Sequence, residues 1–373
     1  MDITKLDKNF DTSFTPPEDI EWFSVRQEPF VTYGVTYSNK EGLYRRMPKE
    51  VSDRVSDGVS ELVKQTAGGR IRFITNSPYY AVRVREPFIP PFSNMPFMGI
   101  YGVSIYVDGV FSRAFAPTYV QIKAGDTSIG GNGEIVFDGL RVHLENCERR
   151  REQYEMEINL PPYGGVKEIL IGLKKGSVIL PPTPYKHPNP IFFYGSSITQ
   201  GGCATKAGDD YISRLSRLLS FDYVNLGFSG NAKAEKVMVD YLAKQNPPIF
   251  VLDYDHNAPD AEYLEKTHYP LYQAIRDAHP NTPIILMTMP IVRGFENHEW
   301  FKTRREVILD NYQKMIDSGD KNVYLIDCIG CLGELVNGES ATMDNTHPDS
   351  LGFLRMAERV YPVLSELLNK LEN

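Results

Sequence analysis

Apolar positions recur in two different patterns along the chain. Up to residue 186 they form short runs rich in Val, Ile, Phe and Tyr, at 71–75, 80–85, 103–107, 134–137, 154–160 and 168–173. Turn residues separate the runs, among them Gly68-Gly69, Asn76-Ser77-Pro78 and Asp108-Gly109. The 154–160 run alternates Tyr, Glu, Met, Glu, Ile, Asn, Leu, which predicts one buried and one wet face. Many short strands with one helical stretch, near 58–65, predict a β-sandwich or jelly roll. From Ile191 the runs are unbroken, at 191–194, 223–226, 249–253, 284–289 and 323–326, as strands are when helices cover both faces of a parallel sheet. Helical patterns fall near 208–220, 233–245, 262–278, 301–317 and 351–370, the last placing Leu354, Ala357, Val360, Val363 and Leu364 on one face. This predicts a doubly wound, three-layer α/β/α domain with a five-stranded, flavodoxin-like parallel sheet. Five prolines between Leu180 and Pro190 read as a linker, dividing the chain into domains 1–186 and 187–373.

Composition narrows the function. The chain has 373 residues, 42% hydrophobic and 24% charged, which excludes a disordered chain or a coiled coil. The longest nearly apolar run, 283–292, is too short to cross a bilayer, which takes about 20 residues. A net charge of −8 without a basic stripe argues against nucleic acid and against anionic membrane surfaces. The N-terminal stretch has no apolar signal region, so a cytoplasmic protein is expected. Cys328 and Cys331 form a lone CxxC, read as buried thiols rather than a metal or redox site.

In an open parallel sheet, ligands bind beyond the carboxyl ends of the strands. The first strand is followed there by Gly195-Ser196-Ser197-Ile198-Thr199-Gln200-Gly201-Gly202, which presents a serine at a strand-to-helix turn without the spacing of a phosphate-binding loop. Asn225-Leu226-Gly227-Phe228-Ser229-Gly230-Asn231 follows the second; Gly230 offers a backbone N–H where a side chain would crowd a substrate. The third leads into Asp253-Tyr254-Asp255-His256-Asn257, with the Asn257 amide as a second donor. Near the C-terminus, Asp344 stands three residues before His347, the spacing at which a carboxylate orients an imidazole. A serine, two donors and an Asp–His pair at one sheet edge are the parts of acyl transfer through serine.

These blocks resemble the SGNH (GDSL-type) hydrolases, named for Ser, Gly, Asn and His in four blocks. The resemblance makes Ser197 the nucleophile, His347 the general base and Asp344 the third triad member. It makes Ser197, Gly230 and Asn257 the oxyanion hole. Gly102-Val103-Ser104-Ile105-Tyr106 is similar to the GxDLY motif of the β-sandwich that precedes this type of SGNH domain, with Ser104 in place of the Asp. Leu160-Pro161-Pro162-Tyr163 is a further shared feature. The usual Gly-Asp-Ser is Gly195-Ser196-Ser197 here, and the usual Gly-x-Asn-Asp is Asp255-His256-Asn257-Ala258.

The expected activity is a serine esterase removing small acyl groups, acetyl above all, from carbohydrates. It needs neither a metal nor an organic cofactor. Its expected partner is a small-molecule or oligosaccharide ester, with no nucleic acid or membrane; self-association stays open. Trp300 and His256 are candidate substrate-binding residues. Phe88, Phe92, Phe97 and Tyr101 read mainly as core, with any exposed ring free to stack on a sugar. The alternatives are an acyltransferase using the same triad, a lysophospholipase or thioesterase, and a non-catalytic carbohydrate-binding protein.

Overall fold

The structure, a computed structural model, describes residues 6–7, 14–142, 152–334, 336 and 338–372. Its N-terminal part is a β-sandwich. One antiparallel sheet runs in the order Ile20–Ser24, Glu168–Lys174, Tyr80–Pro87, Glu134–Arg141. The other runs Ile179–Leu180, Arg70–Thr75, Tyr154–Asn159, Val103–Val107, Val110–Phe115, with Val31–Tyr33 also pairing with Arg70–Thr75. Alternate residues of both sheets meet in one core: Val82, Val84, Ile169 and Ile171 from the first, Ile71, Phe73, Ile105 and Met156 from the second. Glu86 is also sealed there with neither carboxylate oxygen partnered among the described residues, and burial pushes its carboxyl well above the usual range.

Two expectations change here. Glu157 and Asn159 are buried rather than wet. The alternation is real, but the polar face of the second sheet packs against the C-terminal part instead of water. Arg217 sits 3.7 Å from Glu157 and over the Tyr106 ring, and Arg70 donates to Asp222 at 2.5 Å while stacking on Tyr223. The proline-rich segment is likewise no free linker. Ile179–Leu180 is a sheet strand, Tyr185 is buried and accepts from Arg70 Nε, and His187 already begins the next strand.

The C-terminal part is a parallel sheet in the order Phe221–Gly227, His187–Gly195, Phe250–Asp253, Ile284–Met287, Val323–Ile326. Apolar clusters fill both of its faces. The helices Tyr211–Leu219, Lys236–Ala243, Ala261–Ala278, Glu299–Asp317 and Ser350–Leu371 complete the α/β/α layers. The last helix seats Phe353, Met356, Ala357, Val360 and Leu364 in the core, whereas Leu354 points outward, one position off the stripe. Cys328 and Cys331 are free thiols buried in the same cluster. Among the described residues no helix is long and apolar enough to cross a membrane.

Candidate active site

Ser197 opens a one-turn helix, Ser197–Gln200, directly after the first parallel strand. Ser196 caps it, its Oγ accepting the Ile198 N–H at 3.1 Å, so the hydroxyl does the capping work open to the family's usual Asp. Gly201, at φ +102°, ends the turn. Gly195 has no room for a side chain: a Cβ would lie 2.1 Å from Thr199 Oγ1 and 2.3 Å from the Asp253 carbonyl. The Ser197 carbonyl accepts from Gly202 N at 2.8 Å and from the Tyr163 hydroxyl at 3.3 Å. Tyr163 ends the Leu-Pro-Pro-Tyr motif, so the sandwich itself braces the serine turn.

Ser197 Oγ lies 2.8 Å from His347 Nε2, and His347 Nδ1 lies 2.8 Å from Asp344 Oδ2. Asp344 Oδ1 accepts the backbone N–H of His347 at 2.8 Å and of Thr346 at 3.2 Å. Partial burial would raise the Asp344 carboxyl. The hydrogen bonds from the His347 backbone, the His347 ring and Asn94 outweigh it and hold the group down at about 2. The carboxylate is therefore ionised at any pH where a histidine can act as a base. A serine hydroxyl, an imidazole and a carboxylate in one hydrogen-bonded line can move a proton from the hydroxyl to the ring and stabilise the resulting cation.

The second and third blocks meet beside the serine turn. Gln200 Oε1 accepts the Ser229 N–H at 3.0 Å, and Gln200 Nε2 donates to the Pro162 carbonyl at 3.0 Å. The buried Arg46 donates to the carbonyls of Asn225 and Gly227 and lies over the Phe228 ring. Asn257 Nδ2 donates to the Phe228 carbonyl at 2.8 Å, leaving its second N–H for a ligand. Gly230 is exposed at φ +66°, with open space where a Cβ would stand. The glycine is thus required by its backbone conformation; no part of the chain would be crowded. Behind these donors, Asp253 accepts from Thr199 Oγ1 at 2.9 Å, and Asp255 Oδ2 accepts the Met289 N–H at 2.9 Å. Burial pushes the Asp253 carboxyl well above the usual range and the Asp255 carboxyl up to about 7.

His256 packs edge-on against Trp300, ring centroids 5.2 Å apart, and Arg304 lies over the Trp300 ring at 4.2 Å. Burial first, then the His347 and Arg304 charges, press His256 down to about 4. Trp300 is 36% exposed. On the sandwich side, Tyr101 is core and Phe88 packs partly against it, but Phe92 and Phe97 turn outward, 41% and 37% exposed. Phe92 meets Tyr163 edge-on at 5.9 Å. Cys203, Asp344 and His347 are the one group of potential metal ligands among the described residues, their ligand atoms within 4.8 Å of one another. An ion there would compete with the hydrogen bonds joining Asp344, His347 and Ser197, and burial pushes the Cys203 thiol up to about 12.

The sequence reading missed Asn94 and Arg46 and assigned no role to Tyr163 or Gln200. Those two carried a local signal, Tyr163 through its Leu-Pro-Pro-Tyr motif and Gln200 through the block after the first parallel strand.

Residues 188–365 match the model of the GDSL-like lipase/acylhydrolase family, and residues 20–179 match that of the N-terminus of SGNH-hydrolase-type esterases. No curated protein sequence matches. Among solved structures, a protein of Bacteroides ovatus described as a candidate GDSL-like lipase is 28% identical, with a TM-score of 0.78 over 94% of this chain and 98% of that one. A salicylyl-acyltransferase from a tetracycline biosynthetic pathway is 19% identical, with a TM-score of 0.70 over 94% and 98%. An acetyl xylan esterase from Butyrivibrio proteoclasticus is 13% identical, with a TM-score of 0.58 over 94% and 99%. The last two speak for the fold alone. With both halves matched and the four sequence blocks gathered at one sheet edge, the chain belongs to the GDSL-like, SGNH-type esterase family, in the group whose hydrolase domain follows a GxDLY-type β-domain.

Proposed function

We propose that the protein is a serine esterase releasing small acyl groups, acetyl foremost, from carbohydrate esters. The hydrogen-bonded line from Ser197 Oγ through His347 to Asp344 carries this reading. Ser197 Oγ attacks the ester carbonyl as His347 Nε2 takes its proton. The tetrahedral oxyanion is held by the Ser197 and Gly230 N–H groups and by Asn257 Nδ2. As the carbon–oxygen bond to the sugar breaks, His347 returns the proton to the departing alcohol. Water, deprotonated by the same imidazole, then cleaves the acyl-enzyme and frees the acid and Ser197. Asp344 keeps the ring in the useful tautomer throughout. The sugar preference is supported by the exposed rings of Phe92, Phe97 and Trp300, flat apolar faces of the kind that stack on pyranose rings.

The test is acetate release from acetylated manno- and xylo-oligosaccharides by the wild type and by Ser197→Ala, beside 4-nitrophenyl esters of two to twelve carbons. Release abolished in the variant, with short acyl chains and glycans preferred, is the expected outcome. Undiminished turnover by Ser197→Ala overturns the nucleophile assignment. Preference for long chains moves the substrate to lysophospholipids or thioesters. Acyl transfer to an added alcohol that outruns hydrolysis makes the protein an acyltransferase.

A further inference from the structure

One contact to the acid–base pair comes from the other half of the molecule. Asn94, 250 residues before Asp344, donates Nδ2–H to Asp344 Oδ2 at 2.7 Å. That oxygen is the same one that faces His347 Nδ1. We propose that Asn94 is a positioning residue for the reaction, through which the β-sandwich fixes the Asp344 carboxylate and so the His347 ring. The proposal rests on the triad reading above.

The geometry supports it in three ways. The two backbone donors hold only Asp344 Oδ1, so Asn94 is the sole bond to Oδ2 among the described residues besides that of the ring it must orient. The loop carrying Asn94 is held at both ends. The Tyr101 hydroxyl donates to the Ile89 carbonyl before it, and Gly99 after it packs so tightly that a Cβ would lie 2.3 Å from the Ala204 carbonyl. Pro90, Pro91 and Pro96 restrict the backbone between. Lastly, a carboxamide is chemically apt. It donates without charge, so it locks the carboxylate but does not neutralise it; a lysine would compete with the imidazolium for the same oxygen.

A donor on Oδ2 also moderates how strongly the carboxylate holds the imidazolium formed during attack. Without it the pair binds a proton more tightly, and the acid limb of the rate profile moves to higher pH. The other titratable groups facing the pair are Cys203, Tyr163 and His256. Burial pushes Cys203 up to about 12, Tyr163 above its usual range and His256 down to about 4. None of them changes charge between about pH 5 and 9, so none of them accounts for a shift of the rate profile in that window.

The experiment measures kcat, KM and the pH profile on 4-nitrophenyl acetate for Asn94→Ala, the isosteric Asn94→Asp, Asp344→Ala and the Asn94→Ala/Asp344→Ala double variant. Asn94→Ala is expected to lower kcat about tenfold at unchanged KM and to move the acid limb upward. Asn94→Asp, which sets a like charge against Asp344, is expected to lose more. In the Asp344→Ala background, Asn94→Ala is expected to cost nothing further. An equal loss in both backgrounds, or an Asn94→Ala protein with the wild-type kcat and acid limb, overturns the proposal. Undiminished turnover by Ser197→Ala overturns instead the triad reading beneath it, so the two failures stand apart.

Discussion

The two flanks of Ser197 are built differently. On the acid–base flank, His347 and Asp344 sit on the partly exposed 342–349 loop and are held by polar contacts: two backbone N–H groups, one ring and one amide from the sandwich. On the oxyanion flank, Asn257 and the 228–231 turn hang from the ends of buried strands, backed by the buried carboxyls Asp253 and Asp255. The first flank can therefore lose its chemistry with the fold left intact. On the second, chemistry and folding rest on the same residues.

His347→Ala presses this contrast hardest. It should lower kcat by roughly 10⁴–10⁶ while lowering stability by only about 1 kcal/mol, the ordinary net worth of the hydrogen bond lost to Asp344. Turnover with and without the substitution, beside a denaturant melt, reads both. A melt shifted as far as that of a core variant would erase the distinction. Asn257→Ala comes next. Loss of one oxyanion donor should lower kcat by about 10²–10³. Because Nδ2 also ties down the Phe228 carbonyl, stability should fall by about 1 kcal/mol in the same protein.

The flanks should also answer pH with opposite signs. Asp255 is raised to about 7 in the folded protein, against about 3.9 unfolded. Between those values the unfolded chain ionises first, so stability falls as pH rises from about 4 to 7 and is level above. Three units correspond to at most about 4 kcal/mol at 1.36 kcal/mol each. Asp255→Asn should flatten that slope. Asp344, held at about 2, works the other way: its contribution is full above about pH 4 and is lost as pH falls through 2. Being partly exposed, it should be worth about 1–2 kcal/mol. Urea melts from pH 2 to 8 on the wild type, Asp255→Asn and Asp344→Asn test both signs.

What could be read from the chain follows the same division. The five parallel strands were legible because burial on both faces leaves unbroken apolar runs, as in Ile284–Met287. The blocks after them were legible because a doubly wound sheet gathers its strand ends at one edge. Strands such as Val110–Phe115 and Ile20–Ser24 were not, since their mostly half-exposed or exposed positions mix apolar with charged residues. Alternation in Tyr154–Asn159 marked two faces correctly, but a period-two pattern says nothing about what covers the polar one. Asn94 was invisible for the same reason. Its meaning lies in a contact across 250 residues and two differently folded halves.

The smallest expected effect falls at the hinge between the flanks. Ser196 N–H donates to the Asp253 carbonyl at 3.1 Å, and its Oγ caps the serine turn. Ser196→Ala keeps the first bond and removes the second, which should cost about 1 kcal/mol, the ordinary worth of an N-cap. The turn is held independently by Gly202 N and Tyr163 on the Ser197 carbonyl and by Gln200, so kcat should fall less than about tenfold. Ser196→Asp restores a cap of equal strength but buries a third carboxyl near Asp253 and Asp255. Its stability should match the wild type at pH 5 and drop below it at pH 8. Equal stability at both would mean that water reaches this side of the turn, and that the oxyanion flank is less deeply anchored than its buried carboxyls imply.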